Sequence, residues 1–212
     1  MTRTLRKLLP TAVLGLAASA AIAGFVAGPA SAAHAAEPTG AVAVAKVLPH
    51  NTELQTTYYN CGPTAARNAL VVHDPNANAD QLAKQLGTTT DGTNSAADIT
   101  RVLNAHLGAG HYATAMINGE TASKAQLSKL RSDVVGAVTK GDAVVANVAG
   151  TVTDTAGETH SYEGGHYLAV VGYGASGNTV KIADSADTVG SPDYTLTVSQ
   201  LGNWIATRGY AY

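Results

Sequence analysis

The 212-residue sequence holds one cysteine, one phenylalanine, one tryptophan and two methionines, and only 13% of its residues are charged. A single cysteine excludes an intramolecular disulfide framework and any zinc site built on paired thiolates. With a formal net charge of −2 and no basic run, the chain does not read as a nucleic-acid binder. Beyond residue 36 no apolar run is long enough to span a bilayer. What is present is apolar surface: 45% of residues are hydrophobic, enough to offset the entropy of ordering and to argue against wholesale disorder. The length suits one domain, or at most two small ones.

Residues 1–36 read as a secretory signal peptide. Arg3, Arg6 and Lys7 form a basic opening, Leu8 to Val26 is apolar, and small residues recur at Ala30-Ser31-Ala32 and Ala33-His34-Ala35. This layout predicts cleavage after Ala32 or Ala35. A retained membrane anchor is the competing reading, because the run is nearly long enough to span. Pro10, the small residues and the two cleavage points favour removal. There is no adjacent arginine pair, so a twin-arginine signal is not indicated. Loss of the segment removes Phe25 and leaves ten basic against fifteen acidic residues, a charge of −5. The expected product is secreted (extracellular), mildly acidic and free of the membrane.

Residues 37–52 are expected to form an N-terminal arm or edge strand, ahead of one domain over 53–212. Helical spacing starts at Cys61, with Pro63 in the first turn, and stops at Asp74-Pro75. A second helix runs to Leu86, capped by Asn78 or Asp80 and ended by Gly87. A third opens at Ser95 and ends at Gly108, and a fourth spans Lys124 to Lys140. Tyr112 to Ile117 is expected as a short strand. After Gly141 the pattern turns to strands at Ala143–Ala149, Tyr167–Tyr173 and Thr179–Ala183, with a polar loop over Thr151–Gly165. A short amphipathic turn at Ser199–Ile205 precedes a terminal strand within Arg208–Tyr212. Helices first and an antiparallel sheet second predict an α+β domain, without internal repeats.

Chemistry concentrates at three points. Cys61 lies in Asn60-Cys61-Gly62-Pro63-Thr64, a loop-to-helix corner where a helix N-terminus favours thiolate. The alternative is a buried cysteine acting as a small hydrophobe. Of seven histidines, His166 follows Gly164-Gly165 and opens an apolar strand, which fixes an imidazole; His50, His73, His106 and His111 have no motif around them. Asp184 ends the next strand, so a hairpin would bring it to His166 as an orienting carboxylate, with Asp187 as a competitor. His160 and His166 with Glu158 and Glu163 do not match a zinc pattern.

Taken together, these residues resemble the papain-like cysteine peptidases, specifically the bacteriocin-processing double-glycine peptidase superfamily and its stand-alone secreted relatives. Gln55 six residues before Cys61, the Gly-His-Tyr-apolar-Gly-Tyr segment at 165–173, and the strand-terminal Asp184 carry the resemblance. It implies a papain-like fold, its helical part packed on an antiparallel sheet, and a catalytic set of Cys61, His166, Asp184 and Gln55. Cys61 would be the nucleophile, His166 its base and Asp184 the orienting group. Gln55 would form the oxyanion hole with the Cys61 N–H. The implied reaction is peptide or amide cleavage through a thioester, on a peptide or protein substrate, with no metal or organic cofactor. Asp184-Ser185 departs from the Asp-Pro of many relatives. Two rival functions share these residues: a peptidyl transferase, and a non-catalytic exported binding protein.

Overall fold

Helix boundaries follow polar residues whose side chains satisfy the first free backbone N–H groups. The computed structural model describes residues 45–186 and 191–212, so the signal segment, residues 37–44 and Asp187 lie outside the described residues. Helix α1 (Cys61–Leu70) is followed by α2 (Ala79–Leu86), α3 (Ala96–Leu107), α4 (Lys124–Lys140) and, near the C-terminus, α5 (Val198–Ile205). Asn78 caps α2 and Ser95 caps α3. Ser123 with Gln126 on α4, and Thr197 with Gln200 on α5, form reciprocal capping boxes. Gly87 and Gly141 close α2 and α4 in the left-handed conformation, where a side chain would be strained. No helix among the described residues is long and apolar enough to cross a membrane.

The strands are β1 (Lys46–Val47), β2 (Thr114–Met116), β3 (Val144–Thr153), β4 (Thr159–Tyr173), β5 (Thr179–Ala183), β6 (Asp193–Thr197) and β7 (Gly209–Ala211). They make one antiparallel sheet in the order β2-β7-β3-β4-β5-β6, with β1 added against the far end of β4. The α+β class expected from the sequence is therefore the one observed. The central strands β3 and β4 are wholly buried over Val144–Val148 and Tyr167–Tyr173. Helix α1 is buried at every position except Arg67 and rests on β4. Ala65, Ala66 and Ala69 are what allow a helix to lie that close to a sheet.

Three stretches differ from expectation. The polar loop over Thr151–Gly165 is instead the outer half of the β3–β4 hairpin, with Gly150 to Thr153 paired on Tyr162 to Thr159. Its turn is organised by Asp154, whose carboxylate accepts the Ala156 and Glu158 N–H groups at 2.8 and 2.9 Å. Its arms alternate Thr, Ser and Glu with Val152, His160 and Tyr162, so the period of two is written mostly in polar residues. Trp204 of α5 covers one face, donating to Gly150 O at 2.9 Å and stacking on Tyr162. Strand β6 was not anticipated, although Tyr194 and Leu196 alternate inward between exposed-side Asp193, Thr195 and Thr197. The expected amphipathic turn at Ser199–Ile205 is the full helix α5.

Candidate active site

The segment entering α1 is stapled to the helix it precedes. The buried Asn68 amide accepts from Glu53 N–H at 2.9 Å and donates to Glu53 O at 3.1 Å. Arg67 adds a bond to Asn51 O at 2.7 Å. The chain then turns through Thr57 to Asn60 and enters α1 at Cys61. Unlike the other four α-helices among the described residues, α1 has no side-chain cap. The Gly62 N–H in its first turn is hydrogen-bonded to the Cys61 sulfur, and the helix dipole there favours negative charge. Gly62 is required by packing: a Cβ there would sit 2.3 Å from Thr93 Oγ1.

His166 stands on β4 opposite Val148, and Asp184 follows the last residue of β5. The hairpin brings them together, His166 Nε2 lying 2.7 Å from Asp184 Oδ1, with both residues buried. The second ring nitrogen, Nδ1, is left for the Cys61 sulfur, to which His166 is hydrogen-bonded. Asp184 is saturated. Oδ1 also accepts Ala186 N–H at 3.0 Å, and Oδ2 accepts the Tyr162 and Tyr194 hydroxyls at 3.0 and 2.7 Å. The Tyr162 ring lies over the imidazole, centroids 4.0 Å apart.

The electrostatics are those of a buried charge chain. Burial pushes the Cys61 thiol up, but the hydrogen bond and charge of His166, with the Tyr167 and Gly62 backbone groups, hold it below its ordinary value of 9.0. Burial pushes His166 down, yet Asp184 and Cys61 raise it to about 9. Burial likewise opposes ionisation of Asp184, and His166 with the Ala186 N–H and the Tyr194 hydroxyl keeps it below the usual carboxylate range. The imidazolium stabilises the thiolate on one side and the carboxylate on the other, and the two anions hold its proton. The sulfur and the imidazole open on a cleft of about 560 Å³, walled by Tyr59, Thr93, Asn147 and Arg208.

Residues 46–212 match the sequence model of the Peptidase_C39 like family. The chain belongs to that family. The fold agrees: a Bacillus anthracis protein described as a C39-like peptidase superposes with a TM-score of 0.50 at 14% identity, covering 78% of this chain and 96% of that one. The peptidase domain of Streptococcus ComA, a bifunctional ABC transporter of a quorum-sensing pathway, gives 0.50 at 17% identity, covering 77% and 97%. No curated protein sequence matches the chain.

Within this C39-like fold, Cys61 and His166 line one cleft with Asp184 buried behind the imidazole, whereas Gln55 is held to one side. It does not line the cleft; its Nε2 donates to Thr57 O at 3.0 Å and its Oε1 accepts from Ser185 Oγ at 3.1 Å. Its backbone N–H also binds Ser185 O, which ties the Gln55 segment to the residue after Asp184. His160 serves a different carboxylate, Asp154 at 3.5 Å, and stacks on Tyr194, so it does not join His166 on a shared ion. Sequence reasoning missed Tyr162, Tyr194, Asn147 and Arg208. The two tyrosines were findable by strand alternation. Arg208 was not: it reaches the cleft because Gly165, at φ +98°, leaves space that a Cβ would take at 2.9 Å from the guanidinium.

Proposed function

We propose that this C39-like protein is an exported cysteine peptidase or amidase, cleaving peptide or amide bonds by acyl transfer through Cys61. The observation that carries the reading is the Cys61 sulfur at an uncapped helix N-terminus, hydrogen-bonded to an imidazole that a buried carboxylate holds at 2.7 Å. Thiolate is the attacking form, and His166 keeps Cys61 in it.

Attack by Sγ on the substrate carbonyl carbon moves the carbonyl electron pair onto oxygen. The Cys61 N–H stabilises that oxyanion, and Gln55 adds a second donor only by turning its amide from Thr57 O into the cleft; each such donor is worth about 10²–10³ in rate. Imidazolium His166 gives its proton to the leaving amine as the C–N bond breaks, leaving a thioester. Neutral His166 then takes a proton from water, which attacks the thioester and frees Cys61. Asp184 holds the ring in the tautomer that this exchange requires.

Export rests on the basic, apolar and small-residue layout of residues 1–36. Mass spectrometry of the protein from culture medium is expected to find a mature N-terminus after Ala32 or Ala35. The enzymatic reading is tested by iodoacetamide labelling near neutral pH beside a screen of peptide and cell-wall amide substrates. Cys61 is expected to react faster than a free-thiol peptide. Turnover is expected in the wild type and to fall by about 10⁴-fold or more in Cys61→Ala. An unreactive thiol, or turnover that survives Cys61→Ala, defeats the proposal.

A further inference from the structure

His73, His111 and Asp142 arrive from three separate places in the fold. His73 lies in the turn after α1, His111 in the α3–β2 connection, and Asp142 in the turn between α4 and β3. His73 Nε2 and His111 Nε2 each stand 2.8 Å from the same oxygen, Asp142 Oδ1. The three ligand atoms lie within 4.8 Å of one another. The rings are 84° apart in plane with centroids 6.0 Å apart, so the two nitrogens approach that point from different directions. Each donor's backbone is fixed locally, His73 N–H on Leu70 O, His111 N–H on Gly108 O and Asp142 N–H on Ala137 O. The Asp142 side chain is 9% exposed and the two rings are 30% and 34% exposed, which leaves a way in from solvent.

We propose that these three residues are a binding site for a divalent transition metal of the zinc class, outside the lining of the cleft and structural in effect. Two imidazole nitrogens and one carboxylate oxygen are a donor set of the kind zinc takes, with water completing a tetrahedron. Without metal, both rings carry their proton on Nε2 and donate it to the one oxygen. Binding replaces those two contacts by the ion: each neutral ring turns its Nε2 lone pair to the metal and carries its single proton on Nδ1 instead. The bound ion would join the end of α1 to the start of β3 and to the α3–β2 connection.

Zinc titration of the Cys61→Ser protein by calorimetry, with its melting temperature followed in parallel, tests this without interference from the cleft thiol. One equivalent is expected to bind, with a melting temperature that rises with zinc concentration. Cobalt in place of zinc is expected to give visible ligand-field bands. His73→Gln and His111→Gln retain an N–H donor for Asp142 but lose the nitrogen lone pair, so a mere hydrogen-bonded cluster would persist in them. Each is expected to abolish zinc binding while the protein stays folded. His106→Gln, which alters an exposed histidine bonded to Gln85, is expected to bind as before. No zinc binding to the Cys61→Ser protein, or binding that survives both His73→Gln and His111→Gln, overturns the proposal.

Discussion

Each end of α1 meets a histidine–aspartate grouping. At the N-terminal end, His166 and Asp184 have side chains 3% and 0% exposed, and every carboxylate lone pair is matched by a donor. Past the C-terminal end, His73 and His111 share one oxygen of Asp142 with their rings about one-third exposed. The residue types are the same; burial and saturation differ. In the buried grouping a proton on His166 is held by the carboxylate and thiolate around it, and no vacancy remains for an ion. In the open grouping the rings reach solvent, and their Nε2 atoms can be given to an ion in place of the contact to Asp142.

The largest effect expected from breaking this contrast is on stability. Asp184→Ala strips a buried imidazole and two tyrosine hydroxyls of their shared acceptor, a loss of about 3–5 kcal/mol for a broken buried charge pair. Urea unfolding measures it. The open counterparts, His73→Gln and His111→Gln in metal-free protein, are expected to cost less than about 1 kcal/mol each, as for partly exposed polar groups. Equal losses at the two ends would remove burial as the distinguishing variable.

A pH series sharpens the same point at the cleft. The folded value of His166, about 9, stands above its unbound value of 6.5. Its contribution to stability is therefore complete below 6.5 and is lost as pH rises through 9. Cys61 runs the other way: its contribution is complete above 9.0 and is lost as pH falls through its lowered folded value. The ion pair occupies the window between. Alkylation needs only thiolate, so its rate is expected to climb through the lowered Cys61 value and stay high beyond pH 9. Hydrolysis also needs the His166 proton for the leaving amine, so it is expected to fall through about pH 9. Superimposable profiles would remove His166 as the acid.

Much of this geometry can be read from the sequence where a local signal exists. Gly87, Ser95 and Gly141 mark helix ends because capping is a contact within four residues, and the bounds of α4 and β5 follow from spacing alone. Cys61, His166 and Asp184 stand out because each occupies the end or start of an element beside an apolar run. The β3–β4 hairpin tips read as loop in the sequence because they project beyond the core. There the alternation is carried by Thr, Ser, His and Tyr, residues that also compose loops. His73, His111 and Asp142 left no trace, since three loops 31 and 69 residues apart converge only in three dimensions. The hydrogen bonds of Gln55 to Thr57 and Ser185 are equally beyond spacing arguments.

The smallest effect on the chemistry of the cleft separates the acceptor from its donors. Tyr194 is buried on β6, stacked on His160, with its hydroxyl 2.7 Å from Asp184 Oδ2. Tyr194→Phe deletes one donor, keeps the ring and leaves Oδ2 bonded to Tyr162, so the carboxylate remains partly satisfied. A hydrogen bond to a charged group is worth about 1.5–3 kcal/mol, and the remaining donor offsets part of that, so a loss near the lower bound is expected in urea unfolding. Oδ1, which faces His166, is untouched, so thiol alkylation is expected to change by less than about threefold, under 1 kcal/mol. A large drop in alkylation from this one hydroxyl would mean that the tyrosines set the charge state of Asp184, and that saturation rather than burial governs the buried end.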